Sequence, residues 1–421
     1  MTITFSEDSN QFEGENLAGE TLAGFDFGTF GGIIANFGTV TGTLGATSSA
    51  GIEVFNALSG VITKIAGSPY AVDLLGNGGR NFFNDGTIFG VARFGNGWDS
   101  FYNSGELTGQ LHLGAGNDLL TNQIIPGIDG GPETVGTISG NVNMGGGDDT
   151  VLNSGELGNV LLGDGNDTYS VGGFILDGDG PASGGIGISG DVRGQSGNDE
   201  LIGGSQDERF YGGADNDTLS GAGGKDKLYG DGGDDLIDAG DGNDFVAGGA
   251  GNDTIDGGNN NDRVFGGGGN DDIFLGHGND FAAGGDGNDY IFGGVGNDRL
   301  VGNDGDDTIE GGAGRDGMVG GAGADVFVFA GNTGRDTIDD FEDGDRIELL
   351  TFFGASATYA DVMANTEFAG GNAVIDLSTV FNLNGFGRPE SGSVLTVNNV
   401  TQADLNEDAF SFVDFGIIAV G

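Results

Sequence analysis

The chain has 421 residues, a formal net charge of −52, and only 13 Lys or Arg against 65 Asp or Glu. So few cations disfavour nucleic acid as a partner, the absence of Cys removes disulfides and thiol catalysis, and no apolar run is long enough to span a membrane. Gly 94 with Pro 5 fits tight turns stacked many times, without the Gly triplet and high proline of collagen. A chain this acidic repels itself unless cations neutralise it, so folding is expected to be linked to cation binding.

Residues 1–30 are acidic at first and then rich in Phe (Phe12, Phe25, Phe27, Phe30). They read as an N-terminal cap, because the open end of a solenoid needs covering, or alternatively as a sticky assembly surface. Met1 to Asp8 lacks the cationic and apolar regions of a cleaved leader, so an export signal is expected elsewhere.

Residues 31–193 carry a loose repeat of about nineteen residues, the spacing of a parallel β-helix with one turn per repeat. Asn36 to Gly42, Asn84 to Gly90 and Asn103 to Gly109 share one pattern, which Asn153 to Leu157 begins again, with a longer excursion around Pro126 to Glu133. Aligned on the following Asn, one column reads Ile52, Arg80, Asp99, Asp118, Asp149, and then Asp167 by its own Gly-rich loop. Either these Asp residues hold cations, with the Arg80 guanidinium standing where an ion would otherwise sit, or they only close turns by side-chain hydrogen bonds. Phe82, Phe101, Leu120, Val151 and Tyr169 form the expected inward column. Asn84, Asn103, Asn122 and Asn153 are expected to stack as a ladder of buried amides, and Trp98 to pack in the core or a turn.

Residues 194–328 divide without a gap into fifteen nonapeptides, of which Gly248-Gly249-Ala250-Gly251-Asn252-Asp253-Thr254-Ile255-Asp256 is a clean copy. The sixth position reads Asp199, Glu208, Asp217, Asp226, Asp235, Asp244, Asp253, Asp262, Asp271, Asp280, Asp289, Asp298, Asp307, Asp316 and Asp325. The eighth position is always apolar. The Gly-rich half takes positive φ and makes a tight turn. Its carbonyls and the Asp carboxylate are hard oxygen donors, the set Ca²⁺ prefers. Two units make one coil, so residues eighteen apart stack. One sheet is expected to carry Leu201, Leu219, Ile237 and their successors to Phe327, the other Phe210, Leu228, Val246 and theirs to Met318.

These nonapeptides resemble the β-roll of the repeats-in-toxin (RTX) family. That resemblance implies calcium ions between neighbouring loops, sharing Asp carboxylates and loop carbonyls. Eight loops on one edge and seven on the other then allow at most thirteen shared sites. The loose repeat is similar to passenger domains of autotransporter adhesins and haemagglutinin-like proteins. The two repeats are read as one continuous rod whose metal edge starts near Asp99.

One further unit, Gly331 to Asp339, contains Asp336, and an acidic stretch from Asp339 to Leu349 follows. With Asn372 to Leu377, Leu395 to Val397 and the apolar end Phe415 to Val420, residues 329–421 are similar to the C-terminal end of secreted serralysins and haemolysin-type proteins. The resemblance implies a cap and an uncleaved signal for a type I secretion exporter.

No catalytic constellation stands out. His112 and His277 are too few for a three-His zinc site, and neither His-Glu-x-x-His nor Gly-x-Ser-x-Gly occurs. One enzyme reading stays as the less favoured alternative, a β-helix lyase or epimerase acting on acidic polysaccharide, which needs cations at its site, where this half offers few and with no obvious convergence. The expectation is an all-β, extracellular, non-enzymatic protein: a right-handed parallel β-helix continuing into a calcium-binding β-roll solenoid with a C-terminal β cap. Its expected role is self-association as a surface layer, filament or matrix component. The alternative is a monomeric adhesin that binds cell-surface polysaccharide or a host surface.

Overall fold

A computed structural model describes the strands between residues 2 and 46, and residues 52–415 except 57–59, 65–69, 126–133, 172–189, 331–332, 353–356 and 381–392. The chain forms two compact units, residues 1–224 and 225–421. Both are parallel β-solenoids.

In the first unit each full coil carries three short strands. Arg80–Asn84 lies in sheet I, Thr87–Phe89 in sheet II and Val91–Phe94 in sheet III. Successive coils pair in parallel and in register, Arg80 with Asp99, Phe82 with Phe101 and Asn84 with Asn103. Burial alternates along each strand because successive side chains point to opposite faces. Parallel pairing already begins at Gln11–Asn16, inside the stretch expected to be a cap, and Thr2–Ser6 pairs with that strand antiparallel. The side chains of Phe12, Phe25, Phe27 and Phe30 lie outside the described residues, as does the excursion from Pro126 to Glu133. Antiparallel Ile124–Ile125 and Thr134–Val135 flank that excursion.

Between strands the chain turns so tightly that coils touch through backbone. A Cβ on Gly105 would stand 2.1 Å from the Gly86 carbonyl oxygen, so nothing larger than glycine fits. Among the described residues sheet II has no strand after Glu156–Leu157, and the chain then passes from Ile202 in sheet I to Arg209 in sheet III without one.

Inside, the rings of Phe82 and Phe101 stack at 5.3 Å. Beside them runs the amide ladder. Asn56 Nδ2 donates to Asn84 Oδ1 at 2.7 Å, Asn84 to Asn103 at 2.7 Å, Asn103 to Asn122 at 2.8 Å and Asn122 to Asn153 at 2.9 Å. The ladder ends where Asn153 donates to the Tyr169 hydroxyl at 3.3 Å. Trp98 corrects the expectation of core packing: it is 75% exposed, just before Asp99 in the loop between coils.

The second unit carries two strands per coil. Sheet IV holds three-residue strands such as Leu236–Asp238 and Thr254–Asp256. Sheet V holds six-residue strands such as Lys227–Gly232 and Phe245–Ala250, which run on into the following loop. Ile237, Ile255, Ile273, Ile291, Ile309 and Phe327 fill one inner column, and Leu228, Val246, Val264, Ala282, Leu300 and Met318 the other, all 0% exposed. Neighbours in each column are in-register partners. Each large aliphatic member contributes about 1.5–3 kcal/mol by leaving water.

At the end of this unit Arg346–Phe352 and Phe410–Phe415 extend sheet IV in parallel. Val394–Val397 extends sheet V, and then Asn372–Asp376 and Thr366–Ala369 pair antiparallel and end its parallel run. A short helix, Tyr359–Ala364, starts from a capping box between Thr358 and Asp361. Residues 416–421, with most of the apolar end, lie outside the described residues.

Asn103 is 0% exposed and both donates to and accepts from the ladder. Asn103→Ala is expected to lower stability by about 1–3 kcal/mol for each neighbour left unpaired, measured by urea unfolding in calcium.

Candidate metal centre

The Asp residues form columns along the solenoid edges. In the first unit Asp99, Asp118, Asp149, Asp167, Asp199 and Asp217 precede sheet I strands, and each carboxylate from Asp118 onward binds the coil before it. The amide N–H of Asp99 donates to Asp118 Oδ1 at 2.8 Å, Asp118 to Asp149 at 2.7 Å, Asp149 to Asp167 at 2.7 Å, Asp167 to Asp199 at 2.8 Å and Asp199 to Asp217 at 2.8 Å. Arg80 stands in register before Asp99, 1% exposed, and gives a hydrogen bond to the Leu75 carbonyl oxygen at 3.1 Å. Glu208 precedes a sheet III strand and accepts the Gly204 N–H at 3.2 Å.

The second unit has two such columns. Asp235, Asp253, Asp271, Asp289, Asp307 and Asp325 lead into sheet IV, joined by the same bond at 2.8–2.9 Å. Asp226, Asp244, Asp262, Asp280, Asp298, Asp316 and Asp336 lead into sheet V, joined at 2.8–3.1 Å. The first column has a member that sequence reading missed. Asp345 accepts the Asp325 N–H at 3.0 Å and is itself buried. Its spacing of twenty residues breaks the repeat of eighteen, but the apolar Ile347 two positions on is the signal that marks it.

These carboxylates are 0–4% exposed, Asp345 apart, and each hydrogen bond uses only one oxygen. The Oδ2 atoms of Asp118, Asp149, Asp167 and Asp199, and of Asp253, Asp262, Asp271, Asp280, Asp289, Asp298, Asp307, Asp316 and Asp325, are buried with no hydrogen-bond donor. An unsatisfied buried anion is costly. Burial therefore raises these groups, with neighbouring Asp charges adding: Asp118 to about 8, Asp199, Asp262, Asp271 and Asp307 to about 7, Asp325 to about 6; Asp316 is raised to about 6 by burial alone. For Asp99, also about 7, burial raises and Arg80 opposes.

The glycines shape the loop around that oxygen in two different ways. A Cβ on Gly248 would stand 2.2 Å from Asp253 Oδ2, and the same holds at Gly266, Gly284 and Gly302 for Asp271, Asp289 and Asp307 at 2.0–2.2 Å. The first glycine of each unit is thus the floor on which its own carboxylate rests. Gly249 and Gly251 instead need positive φ, 123° and 129°, and lie against the carbonyl oxygens of Asp231 and Gly233 in the coil before. On the edge leading to sheet V the fit is looser, 3.4 Å at Gly257 and 2.9 Å at Gly293, and Ala239 and Leu275 are accommodated as first residues.

Among the described residues no three acidic or imidazole side chains converge on one point. A cation here is matched instead by stacked single carboxylates and the carbonyl-rich turns between them, an all-oxygen set that suits Ca²⁺. His112 and His277 add nothing to it: His112 lies on sheet III beside Gln110, and His277 is exposed in a loop.

A family model of the RTX calcium-binding nonapeptide repeat matches residues 189–219, 211–246, 238–273, 268–300, 276–309 and 292–327. This chain carries RTX calcium-binding repeats. Calcium is accordingly its cofactor, in multiple copies. Among solved structures, a hyperactive, Ca²⁺-dependent, β-helical antifreeze protein from an Antarctic bacterium aligns with 20% identity and a TM-score of 0.35, over 79% of this chain and 85% of that one. The extracellular lipase LipA from Serratia marcescens aligns with 18% identity and a TM-score of 0.23, over 58% of this chain and 44% of the lipase. No curated protein matches the chain in sequence.

Two predictions test the RTX loops. Gly248→Ala is expected to shift the calcium midpoint of folding upward, because its methyl displaces Asp253 Oδ2. Gly268→Ala, where a Cβ meets nothing within 4 Å, is expected to leave that midpoint unchanged, both read by circular dichroism. In chelator, the folded-state values near 7 lie above the unfolded value of 3.8, so the metal-free fold binds more protons than the unfolded chain. Its stability is then greatest below about pH 4 and falls as pH rises to 7. Acidifying the chelated protein is expected to restore β-structure.

Proposed function

We propose that this protein is secreted and structural, that it folds on calcium outside the cell, and that it self-associates as a surface layer, filament or matrix component. The observation that carries the reading is the run of buried Asp carboxylates, each with one oxygen bound to the coil before it and a second, buried oxygen without a donor, which a divalent cation would satisfy. In this reading each ion lies between neighbouring loops of one edge. Its ligands are the Oδ2 atoms of Asp99, Asp118, Asp149, Asp167, Asp199 and Asp217 in the first unit, and of the two columns from Asp226 to Asp336 and Asp235 to Asp325 in the second, with loop carbonyls completing each site. Calcium supplies the charge neutralisation that a chain of net charge −52 lacks.

Weak sites, about 10⁻⁴–10⁻³ M, fill outside a cell and stay empty in a cytoplasm. Such a chain remains unfolded until a type I exporter has passed it, which is the role we assign to residues 329–421. No helix of the described residues is long and apolar enough to cross a membrane. We read no catalysis into the fold. A second reading, adhesion to a carbohydrate surface, is favoured by one feature: Phe55, Phe83 and Tyr102 stack at 4.8 Å on the outside of sheet I, a ladder on which sugar rings pack well.

A calcium titration of the chelator-unfolded chain, followed by circular dichroism and electron microscopy together, tests both. β-Structure and ordered filaments or sheets appearing together support assembly, whereas a monodisperse folded rod supports the adhesin. Asp253→Ala is expected to raise the calcium concentration needed for folding, and an unchanged titration would count against the ladder.

A further inference from the structure

The outer faces of sheets IV and V in the second unit have opposite chemistry. Along sheet V the first residue of each strand reads Lys227, Phe245, Arg263, Phe281, Arg299, each projecting outward. Over the first three residues of every strand from Lys227 to Val319, no outward position carries Asp or Glu, although the chain has 65 of them. Along sheet IV, outward positions between Leu236 and Glu310 carry Asp238, Asp256, Asp272 and Glu310 and no Lys or Arg. Both faces also present aromatic rings, Phe265 and Phe281 on one, Phe274 and Tyr290 on the other.

The two faces are matched coil by coil. The coil with Lys227 on its sheet V side has Asp238 on its sheet IV side. Likewise Arg263 shares a coil with Asp272, and Arg299 with Glu310. Phe281, between two cations, shares its coil with Tyr290 and Phe292. Coils rise about 4.8 Å each, which spaces the cations about 10 Å apart. Among the described residues these charges have no acidic counterpart. Arg93 pairs with Asp73, and Arg193 and Arg209 pair with Asp191, but among the described residues Lys227, Arg263 and Arg299 form no ion pair. Arg263 lies instead over the rings of Phe281 at 5.1 Å and Phe265 at 5.7 Å. On the acidic face Asp238 is raised by burial and by the charge of Asp256.

We infer that the sheet V face is a docking surface for the sheet IV face of a second copy of this chain, stacked by translation with coils level. Lys227 then meets Asp238 and Arg299 meets Glu310, the first residue of one strand against the third of the other; Arg263 reaches Asp272 diagonally, two residues along its strand, and the aromatic coils meet each other. Such a contact is heterologous and does not close, so it propagates as an open stack. The inference rests on the assembly reading above and supplies its interface.

The test uses the full chain folded in millimolar calcium, with circular dichroism confirming the fold of each variant and sedimentation and electron microscopy reading assembly. Arg263→Glu and Asp272→Arg, which each set like charges together, are expected to raise the concentration needed for assembly about tenfold or more. The double variant exchanges the two signs and is expected to recover wild-type assembly. Should a single variant fail to fold, Lys227→Glu and Arg299→Glu put the same question. Wild-type behaviour in both single variants, or no recovery in a folded double variant, overturns the face pairing and leaves assembly itself standing. A wild-type chain that stays monodisperse overturns assembly and the pairing together. If that monodisperse chain binds a soluble polyuronate and Arg263→Glu abolishes the binding, the face belongs to acidic polysaccharide instead.

Discussion

The bond on which this structure depends is the one between an Asp carboxylate and the backbone N–H of the previous coil. It holds coils in register through one oxygen and leaves the other buried without a donor. A solenoid built this way is unfinished as protein alone. Every coil adds apolar burial inside and an uncompensated negative charge at its edge, so the same repeat that builds the core also creates the demand for a divalent cation. On the edge leading to sheet IV, glycine in the first position serves the same carboxylate, since a side chain at Gly248, Gly266, Gly284 or Gly302 would occupy the place of its Oδ2. In the reading proposed above, calcium binding and folding are therefore one process.

Much of this was legible in the sequence because the repeat prints each contact many times. The eighteen-residue stacking of Ile255 on Ile273, the amide ladder through Asn103 and the Arg80–Asp99 alignment all follow from spacing, and all appear as in-register neighbours. What escaped reading has a physical reason in each case. Asp345 escaped because the loop before it carries two extra residues. Trp98 was expected to pack because large aromatics usually do, whereas the loop between coils leaves it exposed. The three-stranded cross-section of the early coils was not evident, since strands as short as Thr87–Phe89 leave almost no periodicity to detect.

The unlike outer faces escaped for a different reason. They are carried by the seventh and ninth positions of the nonapeptide, and only when alternate units are read apart does one set show Lys227, Arg263 and Arg299 and the other Asp238, Asp256, Asp272 and Glu310. The edges differ in the same alternating way, with Leu275 tolerated on one and glycine kept at Gly248, Gly266, Gly284 and Gly302 on the other. Averaging over all units, as a family pattern does, hides both asymmetries.

Arg80 gives the metal column of the first unit a beginning of another kind. A guanidinium tethered to the backbone is a counterion that no chelator removes and no dilution disperses, and its charge lowers Asp99 against the burial that raises it. Solenoids gain order by adding coils to coils already formed, and the first coil is the hardest to secure. With Phe82 stacked on Phe101 in the same pair of coils, the metal column starts from a coil that carries its own fixed cation.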